Sequence, residues 1–96
     1  MEGFAVDFFK QHLFRGFMLL NLVLVMIFTI IYKLVSMGDD KAFSSPLDFM
    51  DALYFAVVTQ STVGYGDISP KSKTSKSCVM LHITLVIALT VNFAIR

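Results

Sequence analysis

Cysteine is nearly missing from this chain. Cys78 is the single cysteine in 96 residues, so no disulfide closes within one copy. His82 lies four residues beyond it, but two groups make no metal site. Zinc and haem ligand spacings are absent from the rest of the sequence. Charge is also scarce, at 16% of residues, where soluble chains average about 25%. A net charge of +1 leaves no basic surface for nucleic acid and no acidic tail. No nucleophile–base pair or metal cluster is evident, which disfavours an enzyme and calls for no cofactor.

What is present is apolar. Hydrophobic residues make up 56% of the sequence, a membrane composition. No charge interrupts residues 16–32, seventeen residues between Arg15 and Lys33. At 1.5 Å per residue that is about 25 Å, against a bilayer core of about 30 Å. Arg15 and Lys33 have stems long enough to snorkel, and Tyr32 suits an interface. The outer transmembrane helix is therefore predicted at 14–35, with Asn21 as its strongly polar group. The run is too long for a signal peptide and carries no small-residue cleavage pattern. A second uncharged run, 77–95, predicts an inner transmembrane helix at 76–95, flanked by Lys76 and Arg96. With the sequence stopping at Arg96, no room is expected for a sensor or catalytic domain.

Ahead of the first span, Phe4, Ala5, Phe8, Phe9, His12 and Leu13 share one side of a helix. Asp7, Lys10 and Gln11 take the other, and Phe14 breaks the pattern. An interfacial helix over 1–13 is predicted. Between the spans, 36–44 is polar and reads as an exposed turret. Ser45 suits an N-cap and Pro46 a first helical position, so a pore helix is predicted at 46–60. It is too short to cross a bilayer. A polar loop at 68–75 returns to the second span, and Lys71, Lys73 and Lys76 read as a solvated rim.

Residues 62–66, TVGYG, raise the central problem. Irregular backbone is tolerated at membrane depth only where it is hidden from lipid. Two helices enclose nothing, so a cavity requires several copies. Around an axis, the carbonyls of Thr62, Val63, Gly64, Tyr65 and Gly66 would face a dehydrated cation. Consecutive carbonyls point one way only if alternate residues are left-handed, which Gly64 and Gly66 allow without a Cβ penalty. Asp67 would concentrate cations at the outer mouth, and the helix end near Thr59 and Gln60 would present partial negative charge. A phosphate-cradling glycine loop would need a strand before it and a helix after it.

Residues 59–67, TQSTVGYGD, resemble the potassium-channel signature T-x-x-T-x-G-Y-G-D. TVGYG is itself an established potassium-filter sequence, so this is a match to a known motif rather than a deduction. The layout resembles the two-span pore module over the whole chain, 1–96. Its small size and N-terminal helix resemble the miniature potassium channels of large algal viruses. The resemblance implies an all-α membrane protein forming a homotetrameric pore. It implies filter residues 61–67 toward the outside, both termini on the cytoplasmic side, and a host-cell or virion internal membrane. Potassium would be coordinated at Thr62, Val63, Gly64 and Tyr65, as permeant ion rather than cofactor. Charge counting does not help orientation, because the loop between the spans holds five lysines.

The sequence departs from some relatives. A tryptophan pair on their pore helix is matched here by Tyr54 and Phe55, and Phe55 cannot donate a hydrogen bond to Tyr65. Val58 replaces a glutamate that would bond Asp67. Tyr54, Phe55, Thr59 and Ser61 remain the candidate supports of the filter. Val86, Leu89, Thr90 and Phe93 lie at helical spacing and are expected to line the inner cavity, with Phe93 as a hydrophobic constriction. His82, one turn above, reads as a structural histidine bonded to the pore helix or the first span. A non-selective cation pore would keep this layout with an altered filter. A holin-like helical hairpin would not need Thr62, Gly64 or Gly66.

Overall fold

The computed structural model describes residues 2–95, and Arg96, expected to flank the second span, lies outside them. Three helices follow one another: α1 (Glu2–Gly38), α2 (Phe49–Gln60) and α3 (Lys73–Ala94). No strand forms among the described residues, and the one isolated bridge pairs Phe43 with Pro70. Helices α1 and α3 are both long and apolar enough to cross a membrane. The chain is an all-α membrane protein with a short helix held between two long ones.

Helix α1 runs unbroken through residues 13 and 14, so no bend separates the N-terminal segment from the span. Its 37 residues give about 55 Å of helix, and the molecule measures 58 × 21 × 20 Å. Phe17 stacks on Phe93 near the end of α3, with ring centroids 4.4 Å apart. The residues of α1 before His12, the first to share a cavity with Leu89 and Phe93, therefore project beyond the bundle. Phe4, Phe8 and Phe9 are exposed on that projection.

Helix α2 begins three residues later than expected. The N-cap is Asp48 rather than Ser45. Asp48 Oδ1 accepts from the Asp51 amide at 2.7 Å, and Asp51 Oδ2 accepts from the Asp48 amide at 3.3 Å. This reciprocal pair satisfies two donors that a serine at position 45 would not reach once residues 46–48 are extended. The chain before it is stapled to α1. The Leu47 amide donates to Ser36 Oγ at 2.8 Å, and Lys33 Nζ donates to the Leu47 carbonyl at 2.9 Å. Lys33 thus holds the start of α2 rather than only snorkelling.

Helix α3 also differs, starting at Lys73 inside the expected loop. Ser72 is its N-cap and exchanges hydrogen bonds with Ser75. The hydroxyl of Ser75, fully buried, donates to the Ala42 carbonyl at 2.7 Å, and the Lys71 amide donates to the same oxygen at 2.7 Å. The turret and the outer loop are thereby closed onto each other, with Ser44 and Ser69 continuing the zip.

The core sits behind α2. Phe28, Tyr32, Phe43, Leu47, Ala52, Phe55 and Ala56 are buried together. Tyr32 is its centre, edge-on to Phe43 and Phe55 at 5.9 and 4.9 Å. Such edge contacts add about 0.5–1.5 kcal/mol each beyond their buried area. Much of the remaining apolar surface stays open in the single chain.

Candidate functional site

The C-terminal end of α2 delivers the chain into the loop. Ser61 is the C-cap: its amide donates to the Val57 carbonyl at 2.9 Å and its hydroxyl to the Val58 carbonyl at 3.0 Å. The Thr62 amide returns to the Thr59 carbonyl at 3.1 Å. The backbone then changes hand at every second residue. Thr62, Gly64 and Gly66 take φ of 64°, 61° and 84°. Two of these were expected from glycine. Thr62 adopts the same hand despite its Cβ, an arrangement that costs about 1–2 kcal/mol for a non-glycine residue.

The Thr62 hydroxyl donates to the Ser61 carbonyl at 2.6 Å. Its hydrogen is thereby used, and its oxygen lone pairs remain for an acceptor role. Val63 and Tyr65, the residues between the left-handed ones, are 54% and 70% exposed in the single chain. An apolar loop this open is incomplete without a covering surface. Beneath the loop lies a cavity of about 330 Å³, bounded by Gln60, Ser61, Thr62, Val86, Ile87, Thr90 and Val91.

The expected supports divide in two. Phe55 is buried in the aromatic core against Tyr32 and Phe43, so its role is to anchor α2 from behind. Tyr54 stays on the loop side. Its hydroxyl interacts with the Asp67 carboxylate, and that hydrogen bond holds the phenol above its ordinary pKa. Sequence reasoning noticed that Val58 leaves Asp67 without a glutamate partner. It missed that Tyr54 supplies a different donor. The signal was available, since a tyrosine at that position retains a hydrogen-bond donor. Thr59 is buried and its carbonyl receives the loop.

The expected inner row also divides. Val86 and Thr90 border the cavity below Thr62. Leu89 and Phe93 instead line a smaller cavity with His12, Gly16, Phe17 and Leu20 of α1, where Phe93 stacks on Phe17. The reason is angular. At 100° per residue the positions form one graded arc, with 89 and 93 at the edge toward α1 and 86 and 90 stepping from it toward 87 and 91 on the loop side. Ile87 and Val91 continue the loop-facing arc and were missed. His82 is fully buried and bonds both the pore helix and the first span.

Residues 20–95 match the sequence profile of a family described as ion channel. The chain belongs to the ion-channel family. Among its relatives is "Potassium channel protein kcv" of Paramecium bursaria Chlorella virus 1. It is 37% identical over 73 residues, covering 71% of this chain and 78% of that protein. "Potassium channel K1" of Plasmodium berghei is 41% identical over 69 residues, 71% of this chain but 3% of that one. "Two-pore potassium channel 4" of Arabidopsis thaliana is 41% identical over 71 residues, 68% of this chain and 24% of that one. In this ion-channel chain, the alternating loop, the capped short helix and the cavity beneath it form one continuous assembly.

Proposed function

We propose that this chain forms a passive, potassium-selective channel as a homotetramer. The observation that carries the reading is the alternation of left-handed backbone at Thr62, Gly64 and Gly66. Alternation turns successive carbonyls the same way, toward the axis, where they replace the water around a dehydrated cation. The carbonyls of residues 62–65, with the Thr62 hydroxyl, supply the potassium sites. Potassium is the cargo, and no cofactor enters this reading. The α2 helices, pointing their C-terminal ends at the cavity, stabilise a cation there. Asp67, oriented by Tyr54, concentrates cations outside.

Four copies also answer the exposure of Val63 and Tyr65, which would pack against neighbouring chains rather than lipid. The filter faces outward and both termini lie on the cytoplasmic side of a host-cell or virion internal membrane. The projecting start of α1 continues the axis of the first span into the inner headgroup layer.

Purified protein in a planar bilayer with asymmetric potassium and sodium tests the reading. A reversal potential near the potassium equilibrium value is expected, with block by barium, which is similar in size and doubly charged. Equal permeability to sodium and potassium would leave a non-selective pore. Conduction that survives Gly66→Ala unchanged would favour a helical-hairpin lesion.

A further inference from the structure

Behind the filter, four polar side chains from all three helices meet in a single file. Gln60, the last residue of α2, donates through Nε2 to the backbone carbonyl of Asn21 at 2.7 Å and to Asn21 Oδ1 at 3.0 Å. Gln60 Oε1 lies 3.0 Å from Nε2 of His82 on α3. His82 Nδ1 lies 2.8 Å from the hydroxyl of Tyr32 on α1. Asn21 Nδ2 closes the file on the Phe17 carbonyl at 2.8 Å. Phe28 stacks on the His82 ring at 4.1 Å with an interplanar angle of 4°.

The direction of every bond follows from one fixed point. A backbone carbonyl only accepts, so Gln60 must turn its amide nitrogen to Asn21 and its oxygen to His82. His82 must then carry its proton on Nε2. A ring protonated there alone accepts at Nδ1, so Tyr32 donates. Reversing any one group would leave two donors or two acceptors face to face.

Burying such groups is costly unless all are satisfied, and here no buried side-chain nitrogen or oxygen among the described residues lacks a partner. Apolar side chains would fill the same space without that cost. What the file adds is a defined position for Gln60, which stands two residues before Thr62 and borders the cavity below it. We propose that Gln60 and His82 are positioning residues of the ion path, tying the Thr62 oxygens to both spanning helices at the spacing that favours potassium over sodium. The inference rests on the channel reading above.

The test records wild type, Gln60→Leu, His82→Phe and Tyr32→Phe in asymmetric potassium and sodium, with tetramer assembly followed on gels. Each of the first two variants keeps bulk and loses at least two hydrogen bonds. A fall of about fivefold or more in the permeability ratio is expected, equivalent to about 1 kcal/mol, with tetramers still assembled. Tyr32→Phe removes one oxygen and leaves Gln60 on Asn21, so its fall should be smaller. If the larger variants do not assemble, Tyr32→Phe alone decides. An unchanged ratio in every variant that assembles would overturn the proposal. Nitrogen-15 spectra of His82 in lipid give a second readout: a neutral ring protonated at Nε2 is expected, and protonation at Nδ1 instead would overturn it. A wild type without selectivity would sink the channel reading itself, which the first recording shows separately.

Discussion

Gly64 and Gly66 are constrained by backbone rather than by space. A Cβ built at either would meet nothing within 4 Å in its own chain, yet both hold positive φ. An alanine at position 66 would therefore pull φ back toward negative values, with a penalty of about 1–2 kcal/mol per copy. Gly66→Ala is expected to abolish potassium selectivity while leaving helix content unchanged, read by reversal potential and circular dichroism. Tyr54 is a second residue-scale case. Its bond to Asp67 raises the phenol above its ordinary value. The contact is therefore complete below the unfolded tyrosine value and lost only as pH rises through the raised one. Currents should show no Tyr54 titration between about pH 6 and 9, where an ordinary tyrosine near pH 10 is still protonated. Tyr54→Phe removes the donor and is expected to shorten open dwell times severalfold in single-channel records.

At the scale of elements, caps decide where helices begin. With Asp48 and Asp51 closing the start of α2, Asp48→Ala should cost about 1 kcal/mol of stability in each copy. Ser45→Ala should be near neutral, a contrast readable as tetramer melting in detergent. Equal effects would return the cap to Ser45. Both residue types suit a cap, and Pro46 follows Ser45 in a pattern that often opens a helix. The choice fell to Asp48 because Leu47 is tied to Ser36 and Lys33, which keeps the chain extended through it. The second span shows the converse. Ser72 and Ser75 form a local capping pair, a signal present in the sequence, although Lys73 and Lys76 place it outside the uncharged run. Helical spacing placed Val86, Leu89, Thr90 and Phe93 in one row, which the structure splits into Val86 with Thr90 and Leu89 with Phe93. Which pair faces the loop depends on the rotation of α3 against α1, set by Phe17 and Phe93.

For the whole molecule, the decisive quantity is surface that one chain cannot bury. Tyr65 and Val63 stand open beside an aromatic core that is already complete. That division of apolar residues, some closed behind α2 and some left around the loop, leaves open the surface that the proposed homotetramer would cover. The projecting start of α1 is a separate piece of exposed surface. Replacing Phe4, Phe8 and Phe9 with serine should weaken contact of that segment with lipid, seen as faster amide exchange over residues 4–13. Selectivity should not change, because the filter lies at the other end of the molecule.

The sequence by itself determined that two helices span and a short one lies between them, their membrane character, and the left-handed backbone at Gly64 and Gly66. These are local properties: apolar run length, turn chemistry and the freedom of glycine act within a few residues. Only the tertiary structure decided what stands behind the loop. Tyr32 and His82 are 50 residues apart, Asn21 and Gln60 are 39 apart, and Gln60 and His82 are 22 apart. No local pattern links them. They meet because α1 and α3 clasp α2 from two sides, and because buried donors and acceptors must find one another once water is gone.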